Sequence, residues 1–470
     1  MLILALESST TSAKAMLYDT ESKASQLVTK EYSPEVNDTI TQDADGIFME
    51  TIQLGRQICE GRDVDAIALS GIWHSLLLCD KDMKPKTRIL GWADTRAADI
   101  SNRFRRDKKW SDEFYHTSGC LVAANYPYFK LLHYKEQGYP IEDCYIFGQG
   151  SYITYRLTGK RIVTDCMASG SGLFNIKDKK YDAKRLQEIG ITEDQLCKVV
   201  TYKDTAPLSE EGAKLLGLKA GIPVIPACAD GALNQVGAGA LEEGAMTFSV
   251  GTSAAIRLSV ESPKIPKEPS TWCYLSPTKW LSGAATSGSC NCTDWFNDYF
   301  YNLDYKEIEK YGRHDLETPV FLPFLFGERS PGWDSDKRGA FLAIEPFHRK
   351  AHMYQAIQEG ILFNVYQNYK VLCELNGKPK KILLSGGILH SKFWTQMCVD
   401  IFGAEMEIPS FLQSSLMGAV ILAMDYLGVI PSARHFPFEQ GKILQPDLSK
   451  AQVYEEKYHK YLYWYNKISN

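Results

Sequence analysis

The chain opens on an apolar run, Leu2 to Leu6, which gives way to a polar stretch, Glu7-Ser8-Ser9-Thr10-Thr11-Ser12, before a second β-like run from Ala13 to Tyr18. Two such runs around a hydroxyl-rich turn predict a hairpin. The plan recurs past the midpoint as Ala245 to Val250, then Gly251-Thr252-Ser253, then Ala254 to Val260. Between the hairpins the periodicity predicts a helix over Asp45 to Glu60 and a buried strand over Ala66 to Ser70. After the second hairpin it predicts a long helix from Lys350 to Leu375, a strand Lys381 to Ser385 and a helix starting near Ser391, with that serine as its cap. A closing helix, Lys450 to Ile468, is expected to pack on the second half. This alternation predicts a mixed α/β protein in two domains, 1–242 and 243–470, that share one plan.

Composition narrows the function. With 470 residues, 44% hydrophobic and 23% charged, the chain can fill two cores and leaves little room for disorder. A net charge of −5 without any Lys/Arg-rich stripe argues against a nucleic-acid partner. No run of about twenty apolar residues occurs, and no basic residue precedes the first apolar run, so the expectation is a cytoplasmic protein without a membrane partner. The 12 cysteines scatter from Cys59 to Cys398, with Cys290 and Cys292 the one close pair, and the 9 histidines form no HExxH, so free thiols and no structural metal are expected.

Nucleotide chemistry here cannot rest on a P-loop, because no GxxxxGK[ST] occurs. Hairpin tips offer a different cradle, since their unpaired backbone N–H groups and short hydroxyls admit phosphate oxygens closely. Ser9-Thr10-Thr11 and Gly251-Thr252-Ser253 would clamp phosphates from two sides, although each alone reads as a plain turn. The segment Pro226-Ala227-Cys228-Ala229-Asp230-Gly231-Ala232-Leu233-Asn234 ends an apolar run in a carboxylate and opens a small-residue helix. Asp230 is a helix cap on the plain reading and, beside a phosphate cradle, a base that takes a hydroxyl proton.

In order along the chain, Asp230-Gly231 followed by Ser249-Val250-Gly251-Thr252-Ser253 resembles the catalytic-base and second phosphate motifs of the FGGY carbohydrate kinases. Gly71-Ile72-Trp73-His74-Ser75 and Trp92-Ala93-Asp94-Thr95-Arg96 are similar to that family's sugar-contacting segments. Phe324-Leu325-Phe326-Gly327-Glu328-Arg329-Ser330-Pro331 resembles the loop beside its active cleft, and Ser385-Gly386-Gly387 with Phe393-Trp394-Gln396-Met397 its adenosine-binding region. Arg338-Gly339-Ala340-Phe341 and Glu359-Gly360-Ile361 continue the series, so the resemblance spans essentially the whole chain. The fold it implies is α/β, two ribonuclease-H-like (actin-like ATPase) domains around a deep cleft, with sugar mainly on the first and ATP mainly on the second.

The activity it implies is ATP-dependent phosphorylation of a terminal hydroxyl of a sugar or sugar acid, with Asp230 as base and Mg²⁺ offsetting phosphate charge. Thr10, Thr11, Lys14, Gly251 and Thr252 would hold the phosphates, Gly386 and Gly387 the nucleotide, and His74, Trp92, Asp94 and Arg96 the polyol. On plain readings Lys14 is a strand-surface lysine, Asp94 a cap and Trp92 a core residue. Within the family, His74-Ser75, Trp92-Ala93-Asp94 and Gly251-Thr252-Ser253-Ala254-Ala255-Ile256-Arg257 resemble the gluconate kinases, which implies D-gluconate as acceptor and 6-phosphogluconate as product; xylulose kinases share the layout and are the alternative. The gluconate carboxylate calls for a cation, with Arg96 and Lys130 as candidates. Two positions depart from the family pattern: Glu7 replaces an Asp associated with Mg²⁺, and Ser9 replaces a Gly. Serine adopts a left-handed turn conformation only at a cost, so a reshaped first tip is expected. These departures motivate a reading from another class, a nucleotide-binding sugar sensor that keeps the fold without turnover. A homodimer is compatible with the resemblance.

Overall fold

The computed structural model describes residues 1–38, 40–301, 305–410 and 414–469. In chain order the elements that build the site are β1 (Leu2–Ser8), β2 (Ser12–Asp19), β3 (Ser25–Glu31), α1 (Ala44–Cys59), β4 (Ala66–Gly71), β5 (Pro223–Ala229) and α2 (Asp230–Gly237). They are followed by β6 (Ala245–Val250), β7 (Ala254–Val260), β8 (Trp280–Thr286), α3 (Lys350–Asn376), β9 (Lys381–Ser385), α4 (Lys392–Phe402), β10 (Met406–Ile408), α5 (Ser414–Tyr426) and α6 (Ala451–Ser469).

Two sheets carry one topology. The first has the central order β3-β2-β1-β4-β5 and the second β8-β7-β6-β9-β10, each with a short strand added at one or both edges. In both, a hairpin extended by a third antiparallel strand continues into two parallel strands. The expected ribonuclease-H-like plan is therefore present twice.

The sequence explains the layering. β1 is apolar on both faces: Ile3 and Ala5 enter one core while Leu4 and Leu6 enter another against α1, as period-2 alternation in a doubly covered strand requires. Helix α1 starts where Asp43 accepts from the Gly46 N–H, and α4 where Ser391 accepts from the Trp394 N–H at 3.0 Å, the cap role expected for that serine. Helix α6 buries Tyr454, Tyr458, Tyr461 and Tyr465 in the second core, as its pattern predicts.

One helix departs from the division by sequence. Helix α5, apolar on nearly every side, packs against α2, β1 and β4 of the first sheet, and its Leu416, Val420 and Ala423 belong to the first core. The α2–α5 crossing is a backbone contact. A Cβ on Gly237 would lie 1.8 Å from the Ser414 carbonyl oxygen, and one on Gly418 would lie 2.1 Å from that of Leu233. Among the described residues no helix is long and apolar enough to cross a membrane.

Candidate active site

The hairpin tips stand at equivalent places in the two sheets. Glu7 on β1 faces Lys14 on β2 and Ser70 on β4; Ser249 on β6 faces Ala255 on β7 and Ser385 on β9. Thr11 and Thr252 are exposed at the tips, with Thr10 and Gly251 half-buried beside them. Ser9 does not take the left-handed conformation, so the strain expected there is absent. Its hydroxyl instead closes the turn, donating to the Ser12 carbonyl at 2.8 Å and accepting from the Ser12 N–H at 3.1 Å. Gly251 at the second tip is not left-handed either, so neither tip needs glycine on backbone grounds. Gly386 does: its φ is 101°, and a Cβ would sit 2.3 Å from the Val250 carbonyl oxygen, where the end of β9 meets the second tip.

Asp230 is the first residue of α2, behind an N-cap that is Ala229 and makes no side-chain cap bond. The Asp230 carboxylate therefore does not serve as the cap: its one protein hydrogen bond among the described residues is from the adjacent Gly231 N–H, at 2.6 Å. Burial, then the nearby charge of Glu7, push its carboxyl up to about 6, against the pull of Arg257, the Gly231 N–H and Lys14. The charged groups that act on this carboxylate therefore come from the first tip, Glu7 and Lys14, and from β7, Arg257. Lys14 donates to Glu7 Oε1 at 2.6 Å and Ser70 Oγ donates to Oε2 at 3.1 Å, so the first-tip acid is buried and engaged at both oxygens.

The Trp92 segment meets the first tip directly: Trp92 Nε1–H donates to Thr10 Oγ1 at 3.0 Å. Trp92 also lines a pocket of about 370 Å³ that includes Thr252 and Ser253 of the second tip, Asn291, Arg329 and Trp333. Asp230 is not part of that lining. His74 sits in left-handed backbone (φ 61°), with its Nδ1 2.6 Å from the Gly170 carbonyl oxygen. That partner assigns the proton to Nδ1, and burial pulls the ring down to about 3, so the imidazole is neutral. Its neighbours are aromatic: Tyr126 at 4.9 Å and Tyr274 at 5.5 Å between ring centroids, the two phenols being hydrogen-bonded to each other at 2.6 Å.

The two cations expected for a carboxylate are otherwise employed. Lys130 is fully buried and donates to the carbonyls of Gly91 at 2.6 Å, His74 at 2.8 Å and Leu90 at 3.4 Å. It does not face the cleft; its three protons join the His74 and Trp92 segments from below, and burial draws the ammonium down to about 7. Arg96 forks onto buried Asp94, with Nε 2.9 Å from both carboxylate oxygens and Nη2 2.8 Å from Oδ2, and Asp94 Oδ1 also accepts the Arg96 N–H. The pair is internally satisfied and shapes the turn below Trp92.

Two arginines beside these segments, Arg257 and Arg329, carry no sequence signal of their own. The Arg257 guanidinium lies over Gly231, where a Cβ would be 3.1 Å from both Nε and Nη2 and 2.8 Å from Trp73. Arg329 sits 5.7 Å from the Trp92 ring centroid and 5.9 Å from that of Trp333. A lone Arg on a strand or loop reads as a surface cation, and the phenols that meet at Tyr126 and Tyr274 are far apart in sequence.

Among the described residues no cluster of three or more His, Cys, Asp or Glu forms a metal cage. Of the carboxylates near the first tip, Glu7 already holds Lys14 and Ser70 at its two oxygens, while Asp230 accepts from the Gly231 N–H.

Comparison with known proteins agrees with this geometry. The N-terminal domain of the FGGY family of carbohydrate kinases matches residues 2–237, and the C-terminal domain matches residues 246–425. A gluconokinase of Bacillus subtilis is 29% identical over 459 residues, covering 92% of this chain and 88% of that one, and a xylulose kinase of the same organism is 25% identical over 448 residues, covering 90% and 87%. The crystal structure of a gluconate kinase from Lactobacillus acidophilus superposes with a TM-score of 0.93 at 27% identity, covering 99% of this chain and 98% of that one. A ligand-bound xylulose kinase from the same organism gives 0.94 at 27%, covering 100% and 98%. Two matched domain models and a sheet topology present twice make the chain a member of the FGGY family of carbohydrate kinases.

Proposed function

We propose that this sugar kinase transfers the γ-phosphoryl group of ATP to the terminal hydroxyl of D-gluconate. Asp230 takes the hydroxyl proton, the freed oxygen attacks the γ-phosphorus, and the bond to the β-phosphate oxygen breaks to release ADP and 6-phosphogluconate. The observation that carries the reading is the state of Asp230: it is relieved of capping, bonded among the described residues only to its neighbour's amide and raised to about 6, a base poised just below neutral pH. Thr10 and Thr11 on one side, with Gly251 and Thr252 on the other, would hold the phosphates, and Gly386 and Gly387 would border the nucleotide. Mg²⁺, when bound, supplies positive charge to the phosphates. His74 and Trp92 give the acceptor a neutral polar edge and an aromatic face.

Gluconate is supported by likeness to gluconokinases at modest identity. The equally close xylulose kinase structure supports xylulose as the second reading. The test is coupled ADP release with gluconate, xylulose, ribulose and glycerol, each with ATP and Mg²⁺. Gluconate is expected to give the highest kcat/KM, and the Asp230→Asn variant to lose at least about a thousandfold of it. No acceptor-dependent ADP release would overturn the kinase step; higher kcat/KM for xylulose would overturn the choice of acceptor.

A further inference from the structure

We propose that Arg257 and Arg329 form the subsite that receives the carboxylate of a sugar-acid acceptor. The inference rests on the kinase reading and adds the groups that choose the acceptor class. Among the described residues neither guanidinium has a hydrogen-bond or ion-pair partner, and the Nε of Arg257 is buried without one. Other cations near the site have partners: Lys14 pairs with Glu7, Arg96 pairs with Asp94, and Lys130 is hydrogen-bonded to three carbonyls. Arg257 borders Gly231 beside Asp230 and Arg329 borders Trp92, and two partly buried cations that feel each other's charge repel unless an anion lies between them. Asp230 is the nearby protein anion, and it has to stay free for the acceptor hydroxyl.

The arrangement favours a planar anion. Trp92 and Trp333 hold Arg329 through their ring faces, which fixes the guanidinium while leaving its N–H donors unspent. Gly231 leaves room for the Arg257 fork, since any side chain there would meet it at 3.1 Å. Two forks with free donors suit a carboxylate, which takes paired N–H bonds, and suit a neutral polyol end poorly. A transferring phosphoryl group is the other anion that could use these donors, and the experiment separates the two.

Dissociation constants are measured by calorimetry on the full-length protein without ATP, for gluconate against glucitol and xylonate against xylitol, each pair differing in the carboxylate. The wild type is expected to bind each acid at least about 30-fold tighter than its alditol, the worth of a charged hydrogen-bonded pair. Arg257→Met and Arg329→Met should each collapse that ratio several-fold, and Arg257→Lys should restore part of it. Equal binding of acid and alditol by the wild type overturns the subsite even if both variants fail to fold. A ratio that persists in folded variants also overturns it. If the ratio is unchanged but turnover falls equally for all acceptors, the arginines serve the phosphoryl group instead. A ratio that collapses while another sugar acid outperforms gluconate in ADP release keeps the subsite and sinks the choice of gluconate.

Discussion

Replacing Asp230 by Asn should make the protein more stable while abolishing turnover. Asn keeps an oxygen for the Gly231 N–H, removes the charge and turns the other oxygen, which has no protein partner among the described residues, into an amide NH2. The folded carboxyl titrates at about 6 against an ordinary 3.8. Between those values the unfolded chain has lost a proton that the folded chain still holds, so stability falls as pH rises through this window. The cost is fully present above pH 6 and absent below the ordinary value, and its size is about 3 kcal/mol at pH 8, an upper figure. The assay is the thermal unfolding midpoint of wild type and Asp230→Asn, without ligands, from pH 5 to pH 8. The variant should melt higher at pH 8, with the gap shrinking by about half at pH 5. An equal or lower midpoint at pH 8, or a gap indifferent to pH, would refute the idea that the fold bears a cost to keep this carboxylate ionised.

The same titration should appear in the kinetics: kcat/KM should fall about tenfold per pH unit below 6 and level off above it, and a flat profile from pH 5 to 7 would remove Asp230 as the base. Lys130→Met strands the carbonyls of His74, Leu90 and Gly91, so the acceptor KM should rise and stability drop by about 2–4 kcal/mol; an unchanged KM would take Lys130 out of the site's support. Gly418→Ala drives a methyl to 2.1 Å from the Leu233 carbonyl oxygen and should cost about 3 kcal/mol, whereas Gly428→Ala, with nothing within 4 Å of its Cβ, should cost about 1 kcal/mol for its left-handed backbone; similar melting of the two would count against tight contact at the crossing.

Much of the fold was legible because local pattern and tertiary structure agree. The hairpins, the strand Lys381–Ser385 and the cap at Ser391 are set by alternation and by side chains that bond their own neighbours. The destination of α5 was not legible: its apolar surface shows that it is buried but not in which half, and its packing on α2, β1 and β4, with Gly237 and Gly418 at the crossing, is set by the fold. In the site, the motif singles out Asp230 as a candidate, but the partners of the cations do not show in the sequence. Whether Lys130, Arg96 or Arg257 meets the cleft depends on which carbonyls and carboxylates reach each one first, and those partners are brought by the fold from distant segments. The concern over Ser9 came from reading a family glycine as a conformational need when the turn does not use one.

The α2–α5 crossing gives the carboxylate at Asp230 a mechanical setting. Asp230 lies at one end of α2 and Gly237, the contact point, at the other, a lever arm of about 10 Å at the usual helical rise. A tilt of about 5° about that fulcrum carries the carboxylate by about 1 Å, a displacement large enough to change a rate by about a hundredfold. The pair of glycines thus sets how finely the Asp230 carboxylate is aimed, and under the proposed mechanism that is the aim of the base.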